Sequence, residues 1–211
     1  VTIPAGEFWM GSEKGDSDEK PIHRIHLPEY QIGRVPVTNV QYALYVADAN
    51  VKPPSNWNNN QPPKGKENHP VVNVTWREAI SYCNWLSQKI NREVRLPSEA
   101  QWEKAARGDK DQREYPWGDK WEDFKCNTEE LGLGDTSPVG LFRSGASPYG
   151  VLELRGNVGE WTRSLWGKSD EAIAYPYDPN DKTREDLSAP DDVRRVLRGG
   201  AFGNAAGGAR C

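Results

Sequence analysis

Thiols and imidazoles have the widest chemical reach of the side chains in this sequence, and there are few of them. Three cysteines, Cys83, Cys126 and Cys211, are scattered over 211 residues. No two stand at zinc-knuckle spacing, and an odd, sparse set does not build a disulfide scaffold. Such usage favours a reducing, cytoplasmic compartment. Cys83 falls on the apolar face of a predicted helix, where a free cysteine behaves as a small hydrophobe. The histidines are His23, His26 and His69. Ile22 to Leu27 alternates apolar and polar residues, the mark of a half-buried strand. On a strand His23 and His26 point to opposite faces and cannot share a metal ion.

The elements that must position any site are legible from caps and periodicity. Thr38-Asn39-Val40-Gln41, Thr75-Trp76-Arg77-Glu78 and Ser98-Glu99-Ala100-Gln101 each pair a hydroxyl with Gln or Glu three residues on, which predicts three helix starts with capping boxes. In the second helix Ala79, Ile80, Cys83, Leu86 and Ile90 recur at helical spacing. Gly108 is the predicted stop of the third. Residues 53–70, rich in Pro, Asn and Lys, read as a long surface loop, as do 167–192. Trp57, Trp166, Tyr175 and Tyr177 in these loops either offer exposed aromatic contact area or pack under their own loops, while Trp102 is expected in the core. Arg195 to Arg198 reads as a strand running into Gly199-Gly200. Helices first, then short strands and long loops, makes an α+β chain with little regular structure.

Composition narrows the functional classes. Lys and Arg number 27 against 31 Asp and Glu, a net charge of −4 without any basic tract, so neither nucleic acid nor an anionic membrane is an expected partner. Mean hydropathy is −0.85, and no apolar run approaches a transmembrane length. With 36% hydrophobic residues, nine tryptophans and eight tyrosines, the core must rest on large aromatic side chains. The length suits one large domain or two small ones. The opening Val1-Thr2-Ile3-Pro4, without methionine, suggests an excised domain or a processed chain.

Several motifs occur together and in order: IPAGEFWMGS (3–12), VPVTNVQY (35–42), HPVVNVTWREAISYCNWLS (69–87), RLPSEAQWEKAARG (95–108), YPWGD (115–119), SPVG (137–140), YGVLELRGNVGEWT (149–162) and RVLRGGAF (195–202). In this set the sequence resembles the formylglycine-generating-enzyme, or sulfatase-modifying-factor, family over nearly its whole length. The resemblance implies a compact C-type-lectin-like fold and a single domain over 1–211. It also implies a further C-terminal closing segment that this sequence does not contain.

The resemblance implies calcium as the expected cofactor, on Glu153, Gly156, Val158 and Glu160, with a second, weaker site at Asn127 and Glu130. Hard calcium takes six to eight oxygens from carboxylates and carbonyls in a bent loop. Glu153 departs from the family's usual Asn or Asp there. The family's oxidases bind copper through two cysteines five residues apart, a pairing that suits soft Cu(I). Aligned on Arg198-Gly199-Gly200, those positions are Asn204 and Ala209, so no copper is expected. Gly159 and Ala201 replace a usual Trp and Ser. An iron-dependent sister branch uses a histidine cluster that His23, His26 and His69 do not form.

The resulting expectation is a ligand-binding domain that is not an enzyme. It is closest in character to the variable proteins of diversity-generating retroelements, whose variable positions follow the Arg-Gly-Gly motif. Its binding face would be Phe202, Gly203, Asn204, Ala205, Ala206, Gly207, Gly208, Ala209 and Arg210, and its partner a protein or other macromolecule. Two alternatives stay open: a copper-dependent oxidase of a substrate cysteine, and a sensor domain of a larger signalling protein.

Overall fold

The computed structural model describes every residue except Asp16, Ser169, Asp170, Ala174 and 206–211. The described elements are β1 (Thr2–Ile3), β2 (Gly6–Met10), β3 (His23–Leu27), β4 (Tyr30–Gln31), α1 (Asn39–Ala49), α2 (Trp76–Ile90), α3 (Glu99–Arg107), β5 (Glu160–Lys168), β6 (Glu171–Ala172) and β7 (Val193–Arg198). All pairings are antiparallel: β1 with β4, β2 with β3, and β5 between β6 and β7. The α+β reading with little regular structure holds. No described helix is long and apolar enough to cross a membrane.

All three helices start where their caps predict. The hydroxyls of Thr38, Thr75 and Ser98 accept from the N–H groups of Gln41, Glu78 and Gln101, whose side chains accept from the cap N–H in return. This satisfies donors that a helix start otherwise leaves orphaned. Asn50 and Asn91 end α1 and α2 in the left-handed conformation, and Gly108 ends α3 with φ 85°. In β3, Ile25 and Leu27 face the core, with His23 on their side and His26 facing solvent.

Helix α3 forms the centre. Trp102, Ala105 and Ala106 pack with Ile3, Val151 and Leu154, while Ala100 packs with Phe8, Met10, Ile25 and Leu27. Its charged residues also point inward, each with partners. Glu103 accepts from Gly11 N–H at 2.8 Å and pairs with Arg107 at 3.2 Å and Arg198 at 2.6 Å. Lys104 donates to the carbonyls of Pro4 and Gly6 at 2.7 and 2.9 Å. A buried charge is tolerated only with such partners.

Two of the loop aromatics take the packed alternative. Trp57 is 8% exposed, packed on Tyr42, with its indole N–H donating to Asn39 Oδ1 at 3.3 Å. Tyr177 is 4% exposed, and its hydroxyl donates to Glu185 at 2.7 Å. Each long loop thus folds an aromatic back under itself. Trp166 and Tyr175 are half-buried. The predicted inner face of α2 is covered only in part: Cys83 is buried, Ala79, Ile80 and Leu86 are half-buried, and Ile90 is 51% exposed. Beside that face lies an open cleft of about 620 Å³.

Candidate functional site

The segment from Glu153 to Glu160 makes a tight turn that only a few residue types permit. Glu153, Gly156 and Asn157 all have φ between 63° and 69°, a left-handed conformation open to Gly and tolerated by Asn. A Cβ at Gly156 would also collide with the backbone carbonyl of Asn127. Glycine is therefore required there on two counts.

Asn157, 1% exposed, joins the surrounding segments. Its backbone N–H donates to Asn127 O at 2.7 Å. Its side-chain amide donates to Glu153 Oε2 at 2.7 Å and to Ser137 O at 3.2 Å. Its Oδ1 accepts from Ser137 N–H at 2.8 Å and from Asn127 Nδ2 at 3.2 Å. Its carbonyl accepts from Phe202 N–H at 3.1 Å, beside a bond from Gly156 N–H to Gly199 O at 2.9 Å. The residue was not singled out from sequence. The available signal was a Gly-Asn pair in a segment without apolar period, which marks a left-handed turn.

The two carboxylates of the segment sit differently. Glu153, 6% exposed, accepts from Gly140 N–H at 2.6 Å as well as from Asn157. Burial raises its carboxyl above the ordinary value, and those two donors oppose the shift. Glu160 keeps some exposed surface as a residue, but its carboxylate is enclosed and accepts from the Trp102 indole N–H at 2.9 Å. Burial pushes it up to about 7; the indole lowers it, and the charge of Glu153 raises it again.

Of the residues expected to hold metal, Asn127, Glu153 and Gly156 are brought together around Asn157. Glu160 is near enough to Glu153 to feel its charge but rests on α3. The Gly156 carbonyl accepts from Val158 N–H at 2.8 Å. Glu130 lies in an exposed turn. Among the described residues no group of three or more His, Cys, Asp or Glu gathers as a metal cluster. The donors present are all oxygens, and the buried Asn127 Oδ1 has no hydrogen-bond partner. Two mutually repelling carboxylates and an orphaned amide oxygen suit a hard cation. Among the described residues the two thiols, Cys83 and Cys126, are both buried, and burial pushes each up to about 11.

Of the expected binding face, Phe202 is half-buried and Gly203, Asn204 and Ala205 are exposed. Ala206, Gly207, Gly208, Ala209 and Arg210 lie outside the described residues. Asn204 is held from both sides: its carbonyl accepts from Glu129 N–H at 3.1 Å, and its Oδ1 from Ala201 N–H at 2.7 Å. At Gly159, a Cβ would meet Leu197 Cδ2 at 2.7 Å, so Leu197 occupies space that a side chain at 159 would need.

Comparisons with known proteins place this geometry in context. The family model described as sulfatase-modifying factor enzyme 1-like domain matches residues 1–211. Formylglycine-generating enzyme from Thermomonospora curvata is 32% identical over 260 aligned residues, covering 96% of this chain and 82% of that protein. Serine/threonine-protein kinase Pkn1 from Chlamydia trachomatis serovar L2 is 34% identical over all of this chain, which spans about a third (34%) of the kinase's length. Treponema denticola variable protein 1 has a similar fold, with a TM-score of 0.72 and 24% identity over 99% of this chain and 85% of that one. The expectation that the chain is not an enzyme is corrected here, because relatives that match nearly all of it carry the names of enzymes. The chain carries Asn204 and Ala209 at the positions where the resemblance implies the oxidases' two cysteines.

Proposed function

The chain belongs to the sulfatase-modifying factor enzyme 1-like domain family, and from that premise we propose that it recognises a protein ligand on the surface formed by Phe202 to Arg210. What supports this reading is the contrast between that surface and its support. Gly203, Asn204 and Ala205 are small and exposed, and they stand on the buried Asn157 network. A rigid base under an irregular rim lets contact residues change without unfolding the domain. That suits a rim rewritten by retroelement diversification, and it equally suits a fixed specificity.

Calcium is the ion this reading assigns to the base, held by the side chains of Glu153, Glu160 and Asn127 with the carbonyls of Gly156 and Val158. Its charge would offset the repulsion between the two carboxylates. Metal analysis of the purified protein and thermal unfolding with and without a chelator test this. Near-stoichiometric calcium and a lower midpoint in chelator are the expected results.

A second reading, oxidation of a substrate cysteine, is favoured by the 32% identity to a formylglycine-generating enzyme over 96% of the chain. Conversion of a cysteine peptide to an aldehyde in the presence of copper would establish it.

The test of recognition is selection from a displayed random-peptide library, followed by calorimetry on the enriched peptides. Gly203→Arg and Ala205→Arg are expected to weaken binding about tenfold or more, equivalent to roughly 1.4 kcal/mol. His26→Gln, on the β2–β3 hairpin, is expected to leave it unchanged. Equal affinity in all three variants would sink the assignment of the face.

A further inference from the structure

The proposed recognition face is small at its centre. Gly203, Asn204 and Ala205 carry little side-chain area, whereas binding energy concentrates in a few large side chains set among near-neutral contacts. Anchors for a ligand must therefore come from the segments beside them, and the backbone identifies one. The Asn204 carbonyl accepts from Glu129 N–H at 3.1 Å, and the Asn127 carbonyl accepts from Asn157 N–H at 2.7 Å. The chain from about 124 to 135 thus runs alongside the rim.

Two residues there are costly for a fold that has only to be stable. Phe124 is 73% exposed and has φ 64°, a left-handed conformation that is a genuine outlier for a bulky side chain. Leu133 is 51% exposed and stands between Gly132 and Gly134, whose φ of 71° and 66° turn the chain sharply on either side of it. The base of this turn is closed by Asn127 Nδ2, which donates to Asp135 O at 2.8 Å. Phe124 lies three residues from Asn127, and Leu133 two from Asp135, so at about 3.6 Å per extended residue neither strays more than about 11 Å from these ties. A standard interface covers about 800 Å² on each partner, a disc of about 16 Å radius. Both side chains are therefore within reach of a ligand seated on the rim.

Charge gives the chemistry of that ligand. The stretch 122–135 carries Glu122, Asp123, Glu129, Glu130 and Asp135 against Lys125. Lys125 pairs with Glu122 at 3.2 Å, and Lys66 reaches across to Asp135. Five carboxylates thus meet two ammonium groups, and the surplus is negative, with Glu129 and Glu130 exposed beside the rim. Complementary charge steers encounter and suppresses wrong partners. On the premise that this face recognises a protein, we propose that Phe124 and Leu133 are its apolar anchors, and that its ligand is a polypeptide segment joining aromatic or aliphatic side chains to lysine or arginine.

Selection from the displayed random-peptide library is expected to enrich sequences that combine apolar residues with lysine or arginine. Phe124→Asn adopts the left-handed conformation more readily, so it is expected to raise the unfolding midpoint while weakening binding of an enriched peptide about tenfold, a shift of roughly 1.4 kcal/mol. Leu133→Ser is expected to weaken it similarly at an unchanged midpoint. Glu129→Gln combined with Glu130→Gln should flatten the loss of affinity on going from low to high salt, since exposed charges are screened. Leu44→Ser, on the exposed side of α1, should bind as the parent does. Were Gly203→Arg to weaken binding while Phe124→Asn and Leu133→Ser left it intact, recognition would stand and the anchors would fall. Enrichment of acidic or wholly polar peptides overturns the ligand class. Failure to enrich any peptide removes the recognition reading itself, and this proposal with it. Concentration-dependent dimerisation that Phe124→Asn abolishes also overturns it, because a second copy of the chain would then be the occupant.

Discussion

Helices α2 and α3 begin alike and end in opposite environments. Each opens with a capping box. Yet α3 buries eight of its nine residues, Glu103, Lys104 and Arg107 among them, whereas α2 buries three of fifteen. Apolar content therefore does not decide which helix is central. Helix α3 is central because distant segments supply a partner for each inward charge: Gly11 and Arg198 for Glu103, Pro4 and Gly6 for Lys104. Helix α2 is the more apolar in composition and has an open cleft beside it.

The sharpest way to break this contrast is to remove one partner from the centre. Glu103→Ala removes the carboxylate that Arg107, Arg198 and Gly11 N–H share; a loss of about 3–5 kcal/mol is expected in urea unfolding, the usual cost of breaking a buried ion pair. The caps come next. Ser98→Ala and Thr75→Ala should each cost about 1 kcal/mol, and a larger loss at Thr75 than at Ser98 would contradict the ranking of the two helices. Leu86→Ala should cost about 1 kcal/mol or less, against the roughly 2–5 kcal/mol of a fully buried leucine; a cost in the upper range would contradict the contrast between the two helices.

The smallest effect is a pH dependence outside both helices. His69 Nδ1 lies 2.9 Å from Thr136 Oγ1. Burial holds its imidazole below the ordinary value, the Lys66 charge adds to this, and Asp135 opposes it. The folded state therefore prefers neutral His69. Its contribution is complete above the unfolded value of about 6.5 and is lost as pH falls through the lower folded one. His69→Gln should flatten that acid limb of the stability profile.

What the sequence made legible was local. The hydroxyl–carboxamide and hydroxyl–carboxylate pairs at Thr38, Thr75 and Ser98 fixed the helix starts because a cap involves residues three apart. The strand read at Ile22 to Leu27 starts one residue later, and the strand read from Arg195 starts two residues earlier, at Val193. What could not be read was partnership across the chain. Glu103 meets Gly11 from 92 residues away and Arg198 from 95, and no periodicity carries that information. The two alternatives for Trp57 and Tyr177 stayed open for the same reason, since a polar loop does not announce which of its aromatics turns inward. In the candidate site, family resemblance points to Asn127, Glu153 and Gly156, while nothing in the sequence beyond a turn signal marks Asn157, which binds them together.

Asn157 has a consequence for how this domain can change. It ties Asn127, Ser137 and Glu153 at their bases and leaves the stretches between those ties unconstrained in length. Lengthening a surface loop costs little, about 0.6 kcal/mol for each doubling. Insertions in the exposed stretch 129–135, between Asn127 and Ser137, should therefore be tolerated, provided both ends of the loop still return to the same amide. One side chain thus fixes where the loops must meet while leaving their reach free to vary.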